Sequence, residues 1–330
     1  MTKKSYYFNN TISHSPYFNL ALEEYLLKNS NDNFFLLWQN EPSVVVGYHQ
    51  NTNAEINLDY VKEKNINVVR RMTGGGTVYH DLGNVNFSFI ENNESKRSDF
   101  NKYTMIIIDV LEKLGVKAQF FGRNDILIEG KKISGNSELI ISNRILHHGT
   151  LLFNSDLEEI FNALNTQSNK FTGKSIKSIH SRVANISEFL LQQMTVNDFI
   201  EKIIDEIKIK FQDILEYKLN ELEVNKIKRI ADEKYSTWEW NYGNSPKYNF
   251  TKRNKTNAGT IEVFLDVNGG IIQNISIYGD FFFVGNIKQL ESHLCGIKHD
   301  KESITIALKN IDIDNYFVNL TKEEFIESII

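Results

Sequence analysis

Three consecutive glycines, Gly74-Gly75-Gly76, restrict the fold of this chain more than any other feature of its sequence. They follow Ile66–Arg70, an apolar run that predicts a buried strand, and they precede the alternating apolar residues Val85–Phe89, which predict a second one. Because glycine has no Cβ, the chain can turn sharply between the strands and point its backbone N–H groups at a bound anion. The segment therefore predicts either a flexible turn or a ligand-binding loop.

The residues on either side of the glycines favour a ligand-binding loop. Arg70 and Arg71 stand immediately before it, and Thr77-Val78-Tyr79-His80 follows it. A guanidinium group is suited to a phosphate or a carboxylate. We therefore expect this loop to belong to an anion-binding site.

The remaining pattern predicts an α+β protein. Amphipathic or capped segments predict helices that begin at Ser15-Pro16, cover Glu55–Lys64 and Tyr103–Leu114, and follow Thr195. Short apolar or alternating runs predict strands at Phe34–Trp38, Ser43–Val46, Ile126–Glu129, Lys132–Ser134, Glu138–Ile141 and Ile145–Phe153, with a hairpin turn at Gly130-Lys131. We expect mixed, mainly antiparallel sheets flanked by helices.

A change in composition near residues 241–255 predicts a domain boundary. We expect a catalytic domain at 1–246 and a small α+β accessory domain at 247–330, with the polar stretch Asn249–Asn257 as a hinge. In the small domain, alternating residues from Ile261 to Val267 and a turn at Asn268-Gly269-Gly270 predict a strand pair.

Composition excludes several classes of protein. The chain has 330 residues and a net charge of -5, so it has no global attraction to nucleic acid or to anionic membranes. Its single cysteine, Cys295, rules out an internal disulfide framework. There is no signal-peptide pattern and no apolar run of about 18 residues, so we expect a cytoplasmic protein without nucleic-acid or membrane partners.

Two further segments carry polar residues at strand ends. Asn124 and Asp125 stand at the entrance to an apolar strand, where an aspartate can hold Mg²⁺ that bridges to phosphates. Lys132 begins the following strand, where it can neutralise an anionic substrate. Taken alone, Asn-Asp also fits a simple turn, and Lys131 and Lys132 also fit edge-strand lysines that oppose aggregation.

Two histidines and an arginine complete the candidates. His147 and His148 precede Gly149 in a predicted strand, so their side chains face opposite sides and at most one faces a given pocket. Either histidine alone also fits a hydrogen-bonded core residue. Arg182, in the segment Ser178–Val183, fits a surface residue or a tether for the substrate site.

Together these segments resemble the lipoate–protein ligase family. The resemblance runs from about residue 6 to residue 250, in the family's order and approximate spacing, and is weaker beyond it. The matching stretches are RRMTGGGTVYHDLGNVNFSF (70–89), GRNDILIEGKKISGN (122–136), HHGTLLFNSDLE (147–158), IKSIHSRVANISE (176–188) and WEWNYGNSP (238–246).

The resemblance implies a fold similar to that of the biotin and lipoate ligase catalytic domains, with a C-terminal domain that acts as a lid. It implies that ATP and Mg²⁺ activate free lipoate to lipoyl-AMP with release of pyrophosphate. The lipoyl group then passes to a lysine of an apo lipoyl domain. The acceptors implied are 2-oxoacid dehydrogenase acyltransferases, the glycine-cleavage carrier protein, or both.

The resemblance also assigns site residues. Lys132 is the expected catalytic residue, and Asp125 is the candidate ligand of Mg²⁺. The expected ATP-binding residues are Arg71, Gly76, Thr77, Val78, Tyr79, Lys132, Asn124 and Asp125. The expected lipoate-binding residues are Lys132, Arg71, Gly74, Gly75, His80, His148 and Gly149. Met72 and Thr73 stand where the family often has two small hydroxyl residues, which leaves the preference between lipoate and octanoate open.

Four alternatives remain. A cysteine-dependent octanoyl- or lipoyltransferase needs a thiol in the large domain, whereas Cys295 lies in the small one. A biotin ligase shares the fold class but carries a Gly-Arg-Gly-Arg loop that is missing from this sequence. A lipoyl-AMP-dependent transferase without the activation step is the runner-up. A non-catalytic lipoate-binding protein would not need both Lys132 and Asp125.

Overall fold

The computed structural model describes residues 3–50, 52–93, 97–164, 183–242, 250–268, 271–299 and 301–330. Its contacts divide the chain into two compact units. Unit 1 comprises Met1–Val45, Asn53–Arg70 and Val78–Asn241, and unit 2 comprises Val46–Thr52, Arg71–Thr77 and Tyr242–Ile330. The expected boundary between residues 246 and 247 lies outside the described residues, as does Arg182.

The strands of the described residues are numbered in chain order. They are β1 Ser5–Asn9, β2 Asn33–Trp38, β3 Ser43–Val46, β4 Asn67–Arg70, β5 Val78–His80, β6 Asn84–Asn92, β7 Gln119–Phe121, β8 Asp125–Ile128, β9 Lys131–Ile141, β10 Arg144–Leu152, β11 Leu215–Glu216, β12 Phe250–Thr256, β13 Gly259–Asn268 and β14 Ile271–Gly279.

The α-helices of the described residues are numbered in the same way. They are α1 Pro16–Asn29, α2 Thr52–Glu55, α3 Leu58–Glu63, α4 Phe100–Lys113, α5 Leu157–Ala163, α6 Val196–Lys210, α7 Glu221–Ile230, α8 Trp238–Asn241, α9 Ile287–Leu294, α10 Lys301–Ala307 and α11 Lys322–Ile329. Short 3-10 helices cover Ile186–Phe189 and Ile313–Asn315, and a π-helical turn covers Ala231–Tyr235.

An eight-stranded sheet forms the centre of unit 1. Its strand order is β11-β1-β2-β6-β10-β9-β8-β7. Only the pairs that β1 forms with β11 and β2 are parallel, and the other pairs are antiparallel. A second sheet of unit 1 has the order β4-β3-β5. The predicted class of mainly antiparallel sheets flanked by helices is therefore confirmed.

The core of unit 1 lies between the large sheet and helices α4 and α6. The apolar residues that recur every three or four positions in α4, such as Ile107 and Leu111, are buried against Phe87 and Phe89 of the sheet. Thr195 caps α6 by accepting a hydrogen bond from the backbone of Asp198, as a capping box requires. A local signal in the sequence therefore sets the beginning of this helix.

Unit 2 is built on a three-stranded antiparallel sheet of order β12-β13-β14. Ile261, Val263 and Leu265 alternate along β13 and are fully buried against helices α9 to α11. The polar stretch that we expected to be a hinge contains strand β12, so that expectation was wrong for Phe250–Thr256. An edge strand needs an apolar face on one side only, which is why its sequence is mostly polar.

The β8–β9 hairpin differs in detail from the prediction. Its turn is Glu129-Gly130, with φ angles of 49° and 77°, rather than Gly130-Lys131. Two successive positive φ angles are typical of the tight turns that match the twist of a hairpin. None of the described helices is long and apolar enough to span a bilayer.

Candidate active site

The glycine-rich loop of unit 2 packs closely against the backbone that follows β14. A Cβ added to Gly74 would lie 2.2 Å from the carbonyl oxygen of Phe281. Gly75 has a φ of 90° and donates its N–H to the same oxygen at 3.2 Å. A Cβ on Gly47 would lie 2.0 Å from the carbonyl oxygen of Gly75. Close backbone approach therefore explains these glycines before any ligand is considered.

The guanidinium of Arg71 braces this loop from inside. Arg71 is buried, and its Nε donates to Thr73 Oγ1 at 3.0 Å. Its Nη2 donates to the carbonyl oxygens of Gly74 at 2.6 Å and Gly76 at 2.8 Å. The hydroxyl of Thr77 donates to Gln50 Oε1 at 2.8 Å. In this structure the hydrogen bonds of Arg71 therefore stabilise the conformation of the loop.

Arg70 has a different role, which its position beside Arg71 in the sequence does not reveal. It belongs to unit 1, where its Nε donates to the carbonyl oxygen of Trp240 at 3.1 Å and its backbone N–H donates to Asn241 Oδ1 at 2.9 Å. The indole of Trp240 donates in return to the carbonyl oxygen of Arg70 at 2.7 Å. Arg70 therefore ties β4 to α8.

Lys132 and Asp125 meet on the β8–β9 hairpin. Lys132 Nζ lies 2.8 Å from Asp125 Oδ1. Ser134 pairs with Ile126, so its side chain lies on the face opposite Asp125. If side chains alternated regularly along β9, Lys132 would lie on the same face as Ser134, away from Asp125. A β-bulge inserts Ile133, so Lys132 instead pairs with Leu127 on the face of Asp125. One extra residue thus directs the lysine toward the carboxylate.

The side chain of Asn124 is held by the neighbouring strand. Its Nδ2 donates to the carbonyl oxygen of Asn136 at 2.7 Å. Among the described residues, no three His, Cys, Asp or Glu side chains form a cluster suited to a metal ion. Asp125 would therefore be a single carboxylate ligand, which fits Mg²⁺ when a nucleotide supplies the phosphate oxygens.

The two histidines of β10 face opposite sides of the sheet, as predicted. His147 is fully buried, and its Nδ1 lies 2.8 Å from Glu138 Oε1. Burial lowers the pKa of His147, although the carboxylate of Glu138 opposes this shift. The neighbouring Gly149 is required by packing, because a Cβ there would lie 2.2 Å from Asn136 Oδ1 and 2.6 Å from the ring of Phe87.

His148 belongs to a buried polar group around Trp38. Its Nδ1 lies 3.0 Å from Glu23 Oε1, which also accepts a hydrogen bond of 2.5 Å from the hydroxyl of Ser88. The indole of Trp38 donates to that hydroxyl at 2.9 Å. Sequence reasoning missed Glu23, Trp38 and Ser88. The sequence signal for Glu23 was an acidic residue among the apolar residues of α1, and it did not point to Trp38 or Ser88.

His80 lies beside the same tryptophan. Its ring meets that of Trp38 edge to face at 6.1 Å, and its Nδ1 lies 3.0 Å from Asn40 Nδ2. Burial raises the pKa of the neighbouring Tyr79, and the negative charge of Asp81 adds a smaller increase. The hydroxyl of Tyr79 therefore stays neutral. Val78, Tyr79 and His80 form β5, which pairs with β3.

Unit 1 therefore assembles two of the expected groups. One contains Asn124, Asp125 and Lys132, and the other places His80 and His148 around Trp38. The glycine-rich loop with Arg71 belongs to unit 2. Lys132, which Asp125 holds in place, is chemically suited to neutralise an anionic substrate.

Comparison with known proteins decides the family. Residues 15–208, more than half of the chain, match the model of the lipoyl protein ligase A/B catalytic domain. Residues 245–329 match the model of the bacterial lipoate protein ligase C-terminus. The chain belongs to the lipoyl protein ligase family. This confirms the resemblance that the glycine-rich loop and the Lys132 segment indicated.

Individual proteins similar to this member of the lipoyl protein ligase family support the same assignment. It is 44% identical to lipoate–protein ligase 1 of Staphylococcus aureus over 321 residues, which cover 96% of this chain and 97% of the relative. The structure of LipL1 of P. falciparum in complex with lipoate matches with a TM-score of 0.81 and 28% identity, covering 99% of this chain and 98% of that one.

A structure of lipoate–protein ligase A bound with ATP matches with a TM-score of 0.61 and 26% identity. The match covers 74% of this chain and 99% of that one. The predicted fold, similar to that of lipoate ligases, is therefore confirmed.

Proposed function

We propose that this chain is an ATP-dependent lipoate–protein ligase that works in two steps. In the first step a carboxylate oxygen of lipoate attacks the α-phosphorus of ATP, and pyrophosphate leaves. In the second step the amine of an acceptor lysine attacks the acyl carbon of lipoyl-AMP, and AMP leaves. Membership of the family and the Lys132–Asp125 pair, with its N–O distance of 2.8 Å, support the proposal.

Lys132 carries the electrostatic part of the first step. Two anions, a carboxylate and a polyphosphate, repel each other as they approach. A fixed ammonium relieves that repulsion most strongly where charge develops in the transition state. Asp125 holds the ammonium in place, and its own charge keeps the empty site close to neutral. No protein nucleophile is required, because the adenylate itself is the activated acyl group.

The expected binding residues remain part of the proposal. For ATP they are Arg71, Gly76, Thr77, Val78, Tyr79, Lys132, Asn124 and Asp125, and for lipoate they are Lys132, Arg71, Gly74, Gly75, His80, His148 and Gly149. The N–H of Gly75 and the guanidinium of Arg71 already have partners in unit 2. Use of these groups by a ligand requires exchange of those hydrogen bonds.

Magnesium enters the proposal through the nucleotide. Asp125 would supply the one protein carboxylate, and the phosphates would supply other oxygens. The ion would neutralise part of the phosphate charge during the attack. Asp125 pairs with Lys132 in this structure, so Lys132 and the ion would share the same carboxylate.

The acceptor and the domain roles are also proposals. We infer that the acceptor is the apo lipoyl domain of a 2-oxoacid dehydrogenase acyltransferase, the glycine-cleavage carrier protein, or both. We assign catalysis to the domain at 1–246 and an accessory role to 247–330. A cytoplasmic location of the reaction is part of the same proposal.

One experiment tests the function. The purified chain is incubated with ATP, Mg²⁺, lipoate and a panel of apo acceptor domains, while pyrophosphate is measured and the acceptors are weighed by mass spectrometry. We expect ATP-dependent pyrophosphate release and one lipoyl group per acceptor. Transfer from presynthesised lipoyl-AMP without pyrophosphate release from ATP and lipoate would instead identify a transferase. No transfer from either source would refute the proposal.

A further inference from the structure

Asn136 is a buried polar side chain in the strand that carries Lys132. It lies in β9 and is only 3% exposed. It lies opposite Gly149 of β10, and its backbone bonds to Asn124 at the entrance to β8. None of the roles described above uses its amide, although that amide contacts several segments of the candidate site.

A reciprocal set of hydrogen bonds joins Asn136 to Asn124. The backbone N–H of Asn136 and its Nδ2 both donate to the carbonyl oxygen of Asn124, at 2.9 and 3.0 Å. Asn124 Nδ2 donates back to the carbonyl oxygen of Asn136 at 2.7 Å. We call these three bonds the asparagine clasp. They fix the backbone immediately before Asp125.

The amide of Asn136 is also fixed on its other side. Its Nδ2 donates to Ser134 Oγ at 3.2 Å, and its Oδ1 lies 3.3 Å from His147 Nε2. Its Oδ1 occupies the space that a Cβ on Gly149 would need. Because three strands confine this amide, it has one orientation and can hold Asn124 in one position.

The bulge in β9 gives such a clasp a role. Only two cross-strand pairs, Asp125 with Gly135 and Ile126 with Ser134, separate the end of the hairpin from the bulge at Ile133. A bulge interrupts the ladder, so few bonds hold this short segment in register with β9, although its residues also pair with β7. The contact of Asp125 with Lys132 depends on that register.

We infer that Asn136 is a positioning residue for the Lys132–Asp125 pair. Its effect on the reaction rests on the function proposed above, whereas its effect on the pair does not. Asn136 acts through the backbone of Asn124, which carries Asp125 to within hydrogen-bond distance of Lys132. Loss of the Asn136 amide removes one of the three bonds, and the bonds from the Asn136 backbone N–H and from Asn124 Nδ2 remain. Asp125 is then held less firmly beside Lys132.

A chemical test needs no substrate. Wild type and Asn136→Ala are treated with a trace amount of an amine-acylating reagent and cleaved after Glu129 and Glu138. The resulting peptide contains both Lys131 and Lys132, and fragmentation separates their modification. Lys131 is an internal reference, since it lies in the same strand and is likewise partly exposed.

In the wild type we expect Lys132 to react several-fold more slowly than Lys131, because its amino group must leave Asp125 before its nitrogen can attack the reagent. In Asn136→Ala we expect the ratio of the two rates to approach one. Asn136→Asp, which keeps the size but loses both side-chain donors, should behave in the same way if Asn136→Ala fails to fold. An unchanged ratio in a folded variant would overturn the inference.

A kinetic test uses pyrophosphate release. We expect Asn136→Ala to lower the kcat of adenylation by about 10- to 100-fold, the range that small misplacements of reacting groups produce. If Asn136 acts through Asp125, the variant Asn136→Ala with Asp125→Ala should match Asp125→Ala alone within about twofold. If the double variant instead lowered kcat by the product of the two single reductions, that result would contradict a positioning role.

The core variant Ile203→Ala controls for lost stability. Ile203 lies in α6 and is buried in the same unit, outside the proposed site. It should lower the melting temperature while kcat per folded molecule stays unchanged. If Asn136→Ala does no more than Ile203→Ala, the inference is wrong. Absence of pyrophosphate release by the wild type would refute the proposed function, and the acylation ratio would still decide the role of Asn136.

Discussion

Replacement of Lys132 by alanine should abolish activation of lipoate while the fold remains intact. The side chains of Lys132 and Asp125 are 39% and 30% exposed, so their ion pair is screened by solvent. Pairs of this kind contribute about 0–1 kcal/mol to the free energy of unfolding. Asp125 is left in contact with water when the lysine is removed. We therefore expect the melting temperature of Lys132→Ala to stay close to that of the wild type.

The rate of adenylation should respond far more strongly. Loss of a positioned charge that stabilises a transition state costs about 3 kcal/mol or more, which is a factor of about 100 or more in rate. The assay measures pyrophosphate released from ATP in the presence of lipoate, under saturating concentrations of both. The matched control is Lys131→Ala, since Lys131 Nζ lies 6.0 Å from the ring centre of Phe189 rather than beside a carboxylate.

Two results would refute this reasoning. Comparable rates in Lys131→Ala and Lys132→Ala would show that the bulge does not select the functional lysine. A large loss of melting temperature in Lys132→Ala would show that the lysine is needed for folding rather than for catalysis.

Three further substitutions test other features. Arg71→Lys should raise the KM for ATP, because an ammonium cannot span Thr73, Gly74 and Gly76 as the guanidinium does; an unchanged KM would contradict this. His147→Gln should flatten the loss of stability on acidification. Burial lowers the pKa of His147 in the folded protein, so as the pH falls toward the ordinary histidine pKa of about 6.5 the unfolded chain binds more protons than the folded one, which costs at most about 1.4 kcal/mol per pH unit. Equal slopes of melting temperature between pH 7.5 and 5.5 would exclude this role. Cys295→Ser should keep full ligase activity, since the adenylate route needs no thiol, and a hydroxylamine-sensitive acyl adduct on Cys295 would overturn that mechanism.

Elements with strong local signals could be predicted from the sequence. Helix α1 begins at Pro16 as expected, because proline is favoured in the first turn, where its missing N–H has no partner to lose. Helix α6 follows Thr195 because the hydroxyl and Asp198 form a capping box. Strand β10 matches the run that ends at Phe153 to within a residue at each end. Each of these signals lies within a few residues of the element that it controls.

Elements set by distant partners could not be predicted. The polar strand β12 forms because β13 offers it a hydrogen-bonding edge, and no periodic apolar pattern marks it. The pairing of His148 with Glu23 joins residues 125 positions apart. The roles of Arg70 and Arg71 differ because Arg70 forms hydrogen bonds with Trp240 and Asn241, about 170 residues further along the chain. These features depend on tertiary contacts that single-sequence patterns do not carry.

The two adjacent lysines show why register matters more than residue type at this site. Along a regular strand, Lys131 and Lys132 face opposite sides, and either could carry the function. The bulge at Ile133 shifts the pairing with β8 by one residue, so each lysine lies on the face that the other would occupy in a regular strand. The inserted residue is fully buried, so the core holds the bulge in place. The choice of lysine therefore depends on how an isoleucine packs, and on the clasp at Asn136 that holds the far end of the hairpin.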